Sequence, residues 1–264
     1  MMMRILTPVA AMAALGLIFG VGLAYALKLF GVELDPKIFK LLSLLPGSNC
    51  GACGKAGCAG FAEALAKGEA IPAGCAVSNT EARKSIARLL GLEQDEKVRT
   101  VAVLLCNGGK RAKDKYAYRG IRSCKAATLQ FGGQKACTFG CLSLADCVEA
   151  CTFGAITMGT DELPVVDEAK CTSCGKCVTT CPKNLFVLNP DACKYYVKCS
   201  SKDKGGATAK VCSAGCVACM KCEKACPTGA VKVESNLSRI TPVKCQNIGK
   251  CFEVCPTKVI KKRG

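Results

Sequence analysis

The side chains able to do chemistry in this chain are thiols: 24 of its 264 residues are Cys, and it has no His and no Trp. Without His there is no Ser-His-Asp or Cys-His nucleophile, no His-ligated zinc centre and no haem-attachment motif. The thiols are concentrated in three blocks. The first is Cys50-x2-Cys53-x4-Cys58-x16-Cys75, set among Gly47, Gly51, Gly54, Gly57 and Gly60, which let the backbone wrap a bulky ligand. The others are Cys171-x2-Cys174-x2-Cys177-x3-Cys181-Pro182 and Cys216-x2-Cys219-x2-Cys222-x3-Cys226-Pro227. Thiolates crowded this closely suit an iron–sulfur cluster, in which each iron takes one sulfur from the chain. Zinc ribbons need two Cys-x2-Cys knuckles set further apart, and cysteines two residues apart rarely meet disulfide geometry.

Both Pro-terminated runs match the bacterial ferredoxin spacing, and each has an incomplete mate. Cys141-x5-Cys147-x3-Cys151 precedes the first and Cys245-x5-Cys251-x3-Cys255-Pro256 follows the second, with Leu144 and Ile248 where a cysteine is missing. After each fourth cysteine comes a strand-like stretch: TFGAITM, PKNLFVL, PTGAVKV and PTKVIKK. In this pattern the first three cysteines share one cluster and the fourth joins the other cluster of the pair. Cys171, Cys174 and Cys177 are therefore expected with Cys151, and Cys181 with Cys141 and Cys147. Likewise Cys216, Cys219 and Cys222 are expected with Cys255, and Cys226 with Cys245 and Cys251. Cys137 is the candidate to replace the cysteine missing at Leu144. At Ile248 the choices are Cys193, a three-iron site or a non-cysteine ligand. Cys106, Cys124, Cys199 and Cys212 are left over for a further cluster between modules. The expected cofactors are thus five [4Fe–4S] clusters and up to six.

Several elements must position these thiols. Ile5 to Leu27 carries no charge and is long enough, at about 34 Å as a helix, to cross a membrane. Lys28, Lys37 and Lys40 follow the span and Arg4 alone precedes it, which places the bulk of the chain in the cytoplasm. The expected fold is α+β: an N-terminal transmembrane helix, a small helical 4Fe-4S domain and tandem two-cluster bacterial ferredoxin-like modules. The anchor is expected over 1–27, a linker or interfacial helix over 28–46 and the single-cluster domain over 47–100. A connecting segment is expected over 101–135, one ferredoxin module over 136–189, a linker over 190–209 and a second module over 210–264. In the single-cluster domain, Phe61 and Leu65 share a helix face. Ser78 or Asn79 caps a second helix, whose apolar side is Ile86, Leu89 and Leu90.

The formal net charge is +17. Six clusters ligated by thiolates, at about −2 each, would offset roughly 12 of those charges. Nucleic acid is therefore not an expected partner, and the aromatic residues that stack on single strands are scarce. The basic stretch 107–120, with Lys110, Arg111, Lys113 and Lys115, reads either as a docking surface for an acidic partner or as a solvated loop. There is no dinucleotide fingerprint and no P-loop.

The N-terminal span, the Cys50/Cys53/Cys58/Cys75 spacing and the ferredoxin modules, in that order, resemble the B-type subunit of the Rnf ion-translocating electron-transport complex. Segments such as YRGIRSCKAATLQFGGQKACTFGCL and YYVKCSSKDKG resemble the long form of that family. The resemblance implies an electron-relay subunit that accepts electrons from soluble ferredoxin. It would pass them to flavin-bearing membrane subunits of a complex that reduces NAD and drives Na⁺ or H⁺ across the membrane. It also implies a single-pass location in the cytoplasmic membrane, and no complete active site in this chain alone. Ile248 and Thr152 depart from the family's usual Cys and Pro. A membrane-anchored polyferredoxin serving a hydrogenase or a corrinoid-protein reductase is the alternative.

Overall fold

The computed structural model describes residues 3–30, 35–92 and 98–263, with side chains in the first helix from Met12 onward. Expectations that fall on Arg4's side chain, on residues 31–34 and 93–97, or on either terminus lie outside the described residues. Helix α1 (Met3–Phe30) is apolar and long enough to cross a membrane, and its side chains from Met12 onward are exposed.

A small helical unit follows, made of α2 (Pro36–Leu44), α3 (Gly57–Ala66) and α4 (Thr80–Leu90). Pro36 begins α2, and the Asp35 side chain accepts from the Lys37 N–H at 2.9 Å. The unit's core is Leu41, Leu45, Phe61, Ala62, Leu65 and Ile86. Within the expected 28–46 linker, the apolar side of α2 packs inward through Leu41 and Leu45 against the helices that follow it. Asn79 caps α4 by accepting from the Ala82 N–H at 2.7 Å, and Gly91 closes the helix in the left-handed conformation. Leu89 departs from the expected face at 44 % exposed, because the core side of α4 runs through Ile86 and Leu90, one helical turn apart. Asn79→Ala should cost about 1 kcal/mol. The check is faster hydrogen exchange in the first turn of α4, with an unchanged rate there counting against the capping role.

The rest of the described chain holds four two-stranded antiparallel sheets. Strand β1 (Thr100–Leu104) is rich in Val and almost wholly buried. After α5 (Cys124–Leu129) and α6 (Asp146–Glu149) come β2 (Ile156–Met158) and β3 (Pro164–Val166), which form a hairpin. Helix α7 (Lys176–Thr180) leads to β4 (Phe186–Pro190), which pairs back with β1, Leu104 opposite Phe186. The same plan recurs. Strand β5 (Tyr195–Val197), α8 (Gly205–Val211) and α9 (Lys221–Lys224) precede the hairpin of β6 (Val231–Glu234) and β7 (Leu237–Ile240). Ser235 and Asn236 turn that hairpin with φ of 49° and 61°, as a two-residue primed turn requires. Helix α10 (Lys250–Glu253) and β8 (Ile260–Lys262) complete it, with β8 pairing on β5.

An outer strand that precedes the first cysteine run, β1 from Thr100 and β5 from Tyr195, pairs with the last strand of each unit. Residues 101–135 and 190–209, expected as connecting segments, contribute β1 and β5 and loop out as insertions within the modules. Outer-strand pairing joins residues far apart in sequence, which motif spacing does not register. The two modules are laced together. The Lys113 N–H donates to the Val211 carbonyl at 2.9 Å, and Ala112 bridges Cys212. Arg263, 5 % exposed, reaches across from beyond β8 to Asp191 at 2.9 Å.

Candidate metal centres

Left-handed residues wind the N-terminal cysteine loop: Asn49, Gly51, Gly54 and Gly57 have φ between 45° and 77°. The Asn49 carboxamide accepts the Cys58 N–H at 2.8 Å, and a Cβ at Gly57 would meet that same oxygen at 2.8 Å. Cys53, Cys58 and Cys75 pack against the Phe61–Leu65 core, while Cys50 lies half-buried on the same loop.

The four ferredoxin-type loops share one backbone rule. In each, the third position of the run sits in the first turn of a very short helix: Cys147, Cys177, Cys222 and Cys251. Two left-handed residues precede it, spaced by one: Ser143 and Ala145, Ser173 and Gly175, Ala218 and Met220, Asn247 and Gly249. Only two of these eight positions are Gly, so the winding is largely hidden in the sequence.

Cys124, Cys141, Cys147 and Cys181 line one cavity. Cys216, Cys219, Cys222 and Cys255 line a second, and Cys226, Cys245 and Cys251 a third. Cys193, 1 % exposed, has its thiol beside that of Cys245. Cys177 is surrounded by Cys174, Cys171 and Cys151. A fourth cavity is lined by Cys106, Cys137, Cys199 and Cys212.

The fourth thiol beside Cys141, Cys147 and Cys181 is thus Cys124, where spacing points to Cys137; Cys137 faces the other leftover cysteines. The cause lies in Asp146. Its carboxylate accepts the Cys124 N–H at 2.7 Å, the Lys125 N–H at 3.1 Å and the Ser123 hydroxyl at 2.9 Å, docking the start of α5 on α6. Burial works against that carboxylate's charge, but these donors outweigh it and hold its pKa below the ordinary value. No spacing rule signals Cys124; the Asp before Cys147 is the only clue.

Burial, and then the neighbouring thiols, push Cys141, Cys147 and Cys177 up to about 12 and Cys137 and Cys251 up to about 11. Among the described residues no three Cys, Asp or Glu side chains converge closely enough to share a single ion. A cavity ringed by four thiols that do not meet at one point fits a cuboidal cluster better than zinc. Backbone N–H groups already point at sulfur: Ala155 at Cys151 at 3.3 Å and Leu185 at Cys181 at 3.4 Å. Such donors stabilise the negative charge of a ligated cluster.

A "Putative Fe-S cluster" family pattern matches residues 45–77, a "4Fe-4S binding domain" residues 163–186 and a "4Fe-4S dicluster domain" residues 215–259. The chain is 43 % identical over 260 residues to the B-type subunit of the ion-translocating oxidoreductase complex of Methanosarcina acetivorans, covering 98 % of each chain. It is 40 % identical to the B-type subunit of the Na⁺-translocating ferredoxin:NAD⁺ oxidoreductase complex of Acetobacterium woodii, over 98 % of this chain and 78 % of that one. It is also 40 % identical to the same subunit of the proton-translocating counterpart from Clostridium ljungdahlii, over 95 % of this chain and 89 % of that one.

Proposed function

The chain belongs to the family of B-type subunits of ion-translocating oxidoreductase complexes, and from that premise we propose that it is the complex's electron wire, taking electrons from reduced ferredoxin and delivering them to membrane subunits on the way to NAD. It works as one part of an oxidoreductase, alongside the other subunits of the complex. The observation that carries the reading is the clustering of thiols along two fused modules: four line each of two cavities, three line another with Cys193 beside Cys245, and Cys151, Cys171, Cys174 and Cys177 form a further group.

We assign five centres: Cys50/Cys53/Cys58/Cys75, Cys124/Cys141/Cys147/Cys181, Cys151/Cys171/Cys174/Cys177, Cys216/Cys219/Cys222/Cys255 and Cys193/Cys226/Cys245/Cys251. A [4Fe–4S] cluster supplies one-electron transfer without proton chemistry. The chain's part is to hold such groups close together and dry. Cys147 lies near Cys177, and Cys251 near Cys222, so within each module the two sets of ligands are neighbours. Cys193 gives the centre near Ile248 a cysteine fourth ligand, in place of a three-iron or oxygen-ligated site.

The protein is associated with the membrane, and we assign α1 as a single span with all that follows on the cytoplasmic side. The thiols support this side, because only a reducing compartment keeps so many neighbouring cysteines available for iron. For the electron donor, the insertion after β1 offers exposed Lys110, Lys113 and Lys115, near the exposed apolar Ile121, Leu129 and Phe131. Arg111 is less free, since it is held by Asn107 at 2.9 Å and Asp161 at 3.5 Å. An acidic protein would be steered to this face at a rate that falls with salt.

The test is to mix anaerobically purified full-length protein with photoreduced low-potential ferredoxin and follow the visible bleaching. Rapid reduction that slows at least several-fold between low and high salt is the expected result, with further slowing on Lys110→Gln, Lys113→Gln and Lys115→Gln together. Protein that dithionite reduces but ferredoxin does not would overturn the assignment of the donor.

A further inference from the structure

The four thiols of the fourth cavity lie outside every family match, at the seam between the modules, and each module supplies two of them from equivalent places. Cys106 and Cys199 each stand two residues beyond an outer strand, after β1 and after β5. Cys137 and Cys212 each stand four residues before the first cysteine of a ferredoxin-type run, Cys141 and Cys216. A pseudo-twofold relation between the modules therefore passes through this cavity.

The surroundings are those of a metal site. Cys106, Cys137 and Cys212 are 7–8 % exposed. The Gly108 and Cys141 N–H groups both donate to the Cys106 sulfur at 3.4 Å, and the Cys216 N–H donates to the Cys199 sulfur at 3.4 Å. Lys135, 4 % exposed, is held by the Gly109 carbonyl at 3.2 Å and Asp114 at 3.0 Å. Arg111 and Lys135 both lie close enough to the Cys212 sulfur to act on its charge. Anchored cations and inward-facing N–H groups around four sulfurs compensate a negatively charged occupant. A cluster ligated by four thiolates is such an occupant, and no three of these groups are close enough for a lone ion. All four cysteines are free thiols, with no disulfide among them.

We propose that Cys106, Cys137, Cys199 and Cys212 hold a further [4Fe–4S] cluster that both modules ligate jointly, and that electrons cross between the modules through it. The crossing rests on the relay reading given above; the metal site does not. Its two flanking junctions are the amides of Cys141 and Cys216. Each belongs to a ligand of a neighbouring centre and donates to a sulfur of this one. The five centres of the two modules then form a line, with this one in the middle and the Cys151 and Cys193 centres at the ends.

The test uses full-length protein purified anaerobically. Iron and acid-labile sulfide should reach about 24 of each per chain, against about 20 without the seam cluster. This count decides the matter even if the variants below fold poorly. Cys137→Ala and Cys199→Ala, in different modules, should each lose about four irons, and the double variant should lose no more than either alone. A wild-type count near 20, or a double variant losing about eight, would overturn the shared site. For the crossing, EPR of the fully reduced protein should show weaker spin coupling on the centres of Cys141 and Cys216 in either variant. The terminal centres should be unaffected. Iron loss with unchanged coupling would refute the junction and leave both the metal site and the relay standing.

Discussion

Cys124→Ala is expected to strip about four irons from the protein and abolish the signal of the centre formed with Cys141, Cys147 and Cys181, while Leu144→Ala leaves that centre intact. A [4Fe–4S] cluster that loses a thiolate without a replacement is labile, and complete loss of its iron is the outcome expected on purification. Three thiols at fixed places in the run cannot compensate, because Leu144 stands where a fourth would be. The double variant Cys124→Ala/Cys137→Ala should lose about eight irons, since the two residues serve different cavities. A loss of only four would return Cys137 to the Cys141 centre, as spacing alone suggests. Asp146→Ala should act in the same direction as Cys124→Ala but less completely, by freeing the start of α5 from α6.

Phe186→Ala is the second large effect. Phe186 is 2 % exposed, stands opposite Leu104 in the β1–β4 pair and packs with Ile156, Leu163 and Leu185 between the two centres of its module. With so few aromatics in the chain, no other side chain can refill the space. The loss of transfer energy together with the residual cavity should cost about 3–5 kcal/mol. The measurement is the denaturant concentration at which the clusters of that module bleach, under strictly anaerobic conditions. A clear fall is expected there, with no change for the N-terminal centre. An unchanged midpoint would show that the clusters alone, without the apolar core, hold the module together.

Both predictions bear on what can be read from the sequence. The cysteine runs are local, and a local pattern of thiols at fixed spacing carries its chemistry with it. The exchange of fourth cysteines between paired runs rests on a known geometric rule of the same kind. Where the outer strands pair is not legible. Thr100–Leu104 meets Phe186–Pro190 across the whole module, and nothing in either stretch names its partner. Boundaries drawn at 136 and 210 leave β1 and β5 apart from the strands they pair with. Cys124 and Cys137 exchange places for a related reason. The choice depends on a carboxylate from another element, Asp146, and so on a tertiary contact.

The paired left-handed residues in the ferredoxin-type loops have a consequence for the life of the protein in the cell. Ser143, Ala145, Ser173, Ala218 and Met220 hold a backbone hand that costs ordinary residues about 1 kcal/mol each, a cost that a ligated centre in the loop would offset. Once oxygen has destroyed that centre, the same residues favour unwinding. Loops without their centre are expected to open locally more often, which limited proteolysis of cluster-free against cluster-loaded protein would show as faster cleavage at these turns.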